Sequence, residues 1–150
     1  MSDLGDLYQE MILEHKRHPR NFRPMPDSTK SVVGHNPLCG DHIQLHVRLC
    51  DDVVEDVSFE GAGCAISTAS ASMMTEKVKG MRRADALSLF ESVHDLLTGR
   101  DEGADPSALG KLAIFSGVRN YPSRVKCASL SWHTLNAALK DDGENVVTTE

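Results

Sequence analysis

The sequence predicts an α+β fold: a small antiparallel sheet of about three strands, with α-helices packed mainly on one face. Three observations predict it. Apolar and polar residues alternate from Asp41 to Leu49, and a second extended run returns after the acidic pair Asp51-Asp52. Stretches of helical periodicity mostly follow these strands instead of alternating with them. No internal repeat divides the 150 residues, a length at which folding buries roughly 68–70% of the surface an unfolded chain exposes. The expectation is one domain over residues 1–150, its fold spanning about 7–139, with 141–150 a frayed tail.

Each element has its own signal. Leu4, Leu7, Tyr8, Met11, Ile12 and His15 form one apolar stripe on a helix ending near Arg17. His18-Pro19-Arg20-Asn21 and Pro24-Met25-Pro26-Asp27 break it and make a connector. His15-Lys16-Arg17-His18 with Arg20 is the dense basic cluster of an acidic chain, expected as a solvated helix end, with a docking patch as the alternative. Ser31 to His35 suits a short strand stopped by Asn36-Pro37. In the next strand Ile43, Leu45, Val47 and Leu49 point one way, and His42, Gln44, His46 and Arg48 the other, toward water. Val53 to Gly61 returns with Val53, Val57 and Phe59 inward, although Glu55 breaks the parity.

Gly61-Ala62-Gly63 then leads into Cys64 and a helix reaching Lys79, rich in Ser and Ala, which allow close packing against the sheet. A further helix, Arg83 to Leu97, has Ala86, Leu89, Phe90, Val93 and Leu97 as its core face. A polar loop at Arg100–Pro106 and a short helix at Leu109–Phe115 precede a last helix, expected to open at Cys127 and run through Leu130, Leu135 and Ala138. Met73, Met74 and Trp132 are read as packing residues.

Composition narrows the function. With 16 basic and 22 acidic residues the formal net charge is −6, so a nucleic-acid partner is not expected. No apolar run approaches the ~20 residues of a membrane helix, so no membrane is expected. Met1-Ser2-Asp3-Leu4-Gly5-Asp6 is acidic where a signal peptide is basic and then apolar, so a cytoplasmic, reducing location is expected. In such a compartment cysteines serve as thiols or metal ligands more often than as bridges.

The cysteines stand at 39, 50, 64 and 127, with no Cys-x-x-Cys pair. Cys39 precedes the alternating strand, Cys64 opens a helix, and Cys127 is expected to open another. A helix N-terminus favours a thiolate through the macrodipole and unpaired N–H groups. Asp41 follows Cys39 by two residues, which puts both side chains on one face of an extended backbone. Cys39, Asp41, Cys64 and Cys127 together offer three thiolates and one carboxylate, a workable tetrahedral set for Zn²⁺. Three small hydrophobic packers at element junctions are the alternative reading. Cys50 reads as a turn thiol beside Asp51-Asp52. His42 and His46 lie roughly 13 Å apart along a strand, too far to chelate one ion. His35 and His42 flank the cysteine loop and read as solvent-facing or turn residues, with a supporting place behind the metal ligands as the alternative.

A resemblance favours the metal reading. Leu7-Tyr8-Gln9-Glu10-Met11-Ile12-Leu13-Glu14-His15, Pro19-Arg20-Asn21 and Asn36-Pro37-Leu38-Cys39-Gly40-Asp41 are similar to the SufU-type branch of the IscU/NifU-like iron–sulfur cluster assembly family. So are Phe59-Glu60-Gly61-Ala62-Gly63-Cys64-Ala65-Ile66-Ser67, Ala69-Ser70-Ala71-Ser72-Met73-Met74 and Arg124-Val125-Lys126-Cys127-Ala128-Ser129-Leu130-Ser131-Trp132. The resemblance implies the family's α+β sandwich, with Cys39, Asp41, Cys64 and Cys127 at the metal site. Lys126 stands where IscU-like scaffolds carry histidine, the region from about Arg82 to Val118 is added, and Tyr121-Pro122-Ser123-Arg124-Val125-Lys126 replaces their chaperone-docking motif.

The third of those differences argues against a dedicated Hsp70-type chaperone partner. The first two favour the SufU-type branch, which implies a zinc-dependent sulfur acceptor. It would take persulfide sulfur from a PLP-dependent cysteine desulfurase, SufS-like, with Cys39 as the attacking thiolate. It would act beside downstream iron–sulfur assembly proteins rather than as a stand-alone enzyme. Arg124 and Lys126 would neutralise the anionic site or meet an acidic partner group. A scaffold that builds and passes on a [2Fe-2S] cluster with the same cysteines is the alternative. A zinc-stabilised interaction domain is the third reading.

Overall fold

The computed structural model describes residues 3–37, 40–98, 110, 112, 115, 118, 121–140 and 146–148, with backbone alone at 3–8 and 146–148. The elements are α1 (Asp3–Arg17), β1 (Lys30–Asn36), β2 (Asp41–Cys50), β3 (Val53–Ala62), α2 (Ala65–Val78), α3 (Arg83–Thr98), α4 (Pro122–Lys140) and β4 (Val146–Thr148). One sheet has the order β3-β2-β1-β4. The first three strands are antiparallel neighbours, and β4 adds to β1 in parallel. The architecture is the expected α+β.

The sheet follows from the patterning. Ile43, Leu45, Val47, Val57 and Phe59 are buried in one core with residues of α2, α3 and α4. Asp51 and Asp52 have φ of 53° and 62°, the left-handed pair that a tight hairpin requires. The parity break at Glu55 is a β-bulge: Arg48 pairs with Asp56 and Leu49 with Val54, so Glu55 has no partner in that register. Val54, fully buried, therefore takes the inward place expected of Val53.

His46 departs from the expected wet face. It is buried between Ser31 Oγ, 2.8 Å from its Nδ1, and Glu60 Oε2, 2.8 Å from its Nε2. Satisfying both nitrogens makes the burial of a polar ring affordable. On the outer edge of β3 the connector docks at Phe59, whose N–H donates to Asn21 O at 3.0 Å and whose carbonyl accepts from Arg23 N at 3.1 Å. That contact caps an otherwise open strand edge.

The small residues of α2 let α1 and α4 pack on either side of it, so most of the helix is buried. Its hydroxyls bond outward: Ser70 Oγ donates to Ala128 O at 2.6 Å, and Trp132 Nε1 donates to Ser70 Oγ at 3.2 Å. Toward α1, Ser72 Oγ accepts Arg20 N at 2.8 Å and bonds His15 Nδ1 at 2.7 Å. Ala86, Leu89, Phe90, Val93 and Leu97 of α3 are buried as expected.

Two expectations need correction. The last helix opens at Pro122, not at Cys127, because proline is well suited to the first helical position, where its missing N–H costs nothing. Val146–Thr148, in the segment expected to fray, instead pair with Val33–His35. The loop at 100–106 lies outside the described residues, as does most of 109–115, where Leu112 and Phe115 are buried. Among the described residues no helix is long and apolar enough to cross a membrane.

Candidate metal centre

Three remote segments meet at the start of α2. Asp41 is the first residue of β2 and is 1% exposed. It follows a turn in which Gly40 takes φ +72° and donates its N–H to Asn36 O at 2.9 Å. Cys64, half-buried, is the N-cap of α2, and its Sγ accepts from Ser67 N at 3.4 Å. Its own N–H donates to Asp41 Oδ1 at 2.9 Å, and its Sγ lies 3.8 Å from Asp41 Oδ2. Cys127 completes the group from the second turn of α4, fully buried. One ligand atom from each of Asp41, Cys64 and Cys127 lies within 4.8 Å of the other two.

The glycines make this approach possible. Gly61 has φ +135°, and a Cβ there would run into the His42 carbonyl of the neighbouring strand. A Cβ on Gly63 would come 2.9 Å from Asp41 Oδ1 and 3.1 Å from Ser67 Oγ. The Gly-x-Gly turn thus serves one purpose at each glycine: strand contact at the first, room for the carboxylate at the second. On the other side Lys16 Nζ donates to Gly63 O at 3.0 Å, so the basic end of α1 borders the turn.

The donors suit zinc. An ion bound tetrahedrally at Zn–S ≈ 2.3 Å and Zn–O ≈ 2.0–2.2 Å sets sulfur and oxygen roughly 3.5–3.7 Å apart. The Cys64–Asp41 separation of 3.8 Å needs almost no movement to meet that. Two thiols and a carboxylate are borderline-soft donors of the kind Zn²⁺ takes.

Of the four residues expected at the site, Asp41, Cys64 and Cys127 are brought together. Cys39 lies outside the described residues. Cys127 reaches the group from inside a helix, so the helix-terminus argument applies to Cys64 and not to it. Cys50 is exposed at the far end of β2, roughly 30 Å along the strand from Asp41. A hydrogen bond with Glu55, with the charges of Asp51 and Glu55, pushes its thiol above the ordinary range. His35 and His42 are exposed and pair with each other across β1 and β2.

Sequence reasoning did not find two supporting groups. Ser70 ties α2 to the Ala128 carbonyl, one residue beyond Cys127, and so fixes the approach of α4. Lys16 was legible only as part of a basic run; nothing local says that its ammonium reaches residue 63.

Comparisons with known proteins agree with this picture. Residues 7–128 match the family model described as NifU-like N terminal domain. The chain is 43% identical over 145 residues to the zinc-dependent sulfurtransferase SufU of Bacillus subtilis, covering 96% of this chain and 97% of that one. It is 37% identical over 140 residues to the iron-sulfur cluster assembly scaffold protein IscU of Streptococcus pyogenes, covering 93% and 87%. Among solved structures, a candidate iron-sulfur cluster assembly scaffold for the SUF system of Fervidobacterium islandicum superposes with a TM-score of 0.82 at 35% identity, covering 87% of this chain and 94% of that one. With its fold, its match over most of the chain and these relatives in agreement, the chain belongs to the NifU-like N-terminal domain family.

Proposed function

We propose that this chain is a SufU-type, zinc-dependent sulfur acceptor acting in the cytoplasm as a single domain. It receives persulfide sulfur from a PLP-dependent cysteine desulfurase of the SufS kind and delivers it to downstream iron–sulfur assembly proteins. The observation that carries the reading is the meeting of Asp41, Cys64 and Cys127 within 4.8 Å. Cys39, two residues before Asp41, is assigned as the fourth ligand and the acceptor.

Zinc, when bound, keeps its ligating thiols deprotonated and draws the segments that carry them together. The chain's own residues do the rest. The Cys39 thiolate attacks the outer sulfur of the desulfurase persulfide, that S–S bond breaks, and the desulfurase cysteine leaves as a thiolate. A new S–S bond now sits on Cys39, with no net oxidation or reduction. Asp41 holds the Cys64 amide and faces its sulfur, so one carboxylate both orients the turn and supplies charge to the centre.

Mass spectrometry of the zinc-loaded protein after desulfurase turnover tests this. One extra sulfur is expected on Cys39, lost in Cys39→Ala and retained in Cys50→Ala. Equal loss in both variants overturns the assignment of Cys39, and tight zinc with no extra sulfur on any cysteine leaves only an interaction domain. The scaffold reading is kept because relatives such as the S. pyogenes protein are named IscU scaffolds. It is favoured if protein purified without added iron carries an iron chromophore in place of zinc.

A further inference from the structure

Two histidines outside the thiol centre face each other between α3 and α4. His94 on α3 and His133 on α4 have ring centres 5.5 Å apart, with planes at 79°. The buried ring of Phe90 touches both, stacked on His94 at 5.8 Å and edge-on to His133 at 5.3 Å. Both histidines are half-buried. Among the described residues neither ring nitrogen has a hydrogen-bond partner, whereas His46 has both of its nitrogens engaged.

The spacing has a metal-binding counterpart. An ion held about 2.0–2.1 Å from one nitrogen of each of two imidazoles sets the ring centres roughly 5–5.5 Å apart. The aromatic wall of Phe90 limits how far either ring can swing away. Burial, then the neighbouring His94, pushes the pKa of His133 below the ordinary imidazole range. It is therefore neutral at physiological pH, the state in which imidazole binds metals. The two rings come from different helices, so a bridging ion would pin α3 to α4. His133 is six residues beyond Cys127, roughly 9 Å along the helix axis, so the pair is separate from the thiol centre.

We propose that His94 and His133 form a two-imidazole site for a divalent transition-metal ion such as Zn²⁺, Ni²⁺ or Cu²⁺, with water completing its shell. Imidazole donors suit these ions. Two protein ligands make the site weaker than the thiolate centre and exchangeable.

The test is a Zn²⁺ titration of protein labelled with ¹⁵N in its histidines and already carrying one equivalent of zinc, followed through the ring nitrogens. One nitrogen of His94 and one of His133 are expected to shift with a single shared midpoint. His94→Gln should weaken the response of His133 by more than the roughly 10–100-fold typical of losing an outer-shell partner, and His133→Gln should do the same to His94. The half-buried His94→Gln and the parent titration decide the matter even if His133→Gln folds poorly. Rings that stay unshifted, that shift at unrelated concentrations, or that ignore loss of the other histidine overturn the proposal. So does a response confined to the exposed His35 and His42. Because the readout is local to the two rings, it is independent of what the cysteines bind or transfer.

Discussion

Asp41 and Cys64 stand at junctions, where a strand begins and a helix is about to begin, and polar contacts hold them: the Cys64 amide on Asp41, the Ser67 amide on Cys64 Sγ, and Lys16 on the Gly63 carbonyl. Cys127 lies inside a helix that is buried from Cys127 to Trp132 and packed on the sheet. That helix comes so close to β1 that a Cβ on Gly34 would collide with Thr134 Oγ1. One half of the centre is thus latched and the other is packed. A latch can be undone without disturbing the core, whereas the packed half cannot move without it.

The comparison predicts which changes affect stability and which affect only metal binding. Trp132→Ala should have the largest effect, about 3–5 kcal/mol off unfolding stability in a urea titration, because it empties a fully buried site beside α2. Zinc affinity should fall with it, since Cys127 rides on the same helix. Asp41→Asn keeps an acceptor for the Cys64 amide but removes the negative donor. It should cost less than about 1.5 kcal/mol of stability while zinc affinity, read by competition with a chelator, falls sharply. If its stability cost matched that of Trp132→Ala, the distinction between the halves would be lost.

Gly63→Ala sharpens the same point. Its Cβ presses on the ends of the Asp41 and Ser67 side chains rather than on backbone, so it should weaken zinc binding with only a small shift in melting temperature. The packed side carries a pH signature instead. The folded-state pKa of His133 is lowered from 6.5, so the unfolded chain binds its proton more readily. The contribution of that site is intact above pH 6.5 and declines as pH falls below it toward the lowered value. His133→Gln should flatten that part of a stability–pH curve measured on metal-free protein. Lys16→Met should do least, moving the amide resonances of Gly63 and Cys64 with no measurable change in unfolding.

What the sequence disclosed divides along similar lines. Local signals were legible: the alternation that makes β2, the acidic hairpin, the Gly-x-Gly entry to Cys64, and the core stripe of α3. The Glu55 parity break carried real information as well, since it marks the bulge. Non-local facts were not legible. Nothing near His46 announces that Ser31 and Glu60 will reach it from two other strands. The apolar spacing places the start of the last helix at Cys127 and does not reach back to Pro122, although proline suits the first helical position. Val146–Thr148 is too short to show a period, and its pairing depends on an edge that β1 exposes only once the sheet exists. The meeting of Asp41, Cys64 and Cys127 is of this second kind: the residue types pointed to it, and only the fold could supply the distances.

The bond from the Ser67 amide to Cys64 Sγ has a practical side. Whatever is attached to that sulfur, whether a proton, an ion or an alkylating probe, alters the acceptor that this one peptide group sees. The Ser67 N–H is therefore a built-in reporter, readable by nuclear magnetic resonance or deuterium uptake, of the chemical state of a cysteine that offers no chromophore of its own.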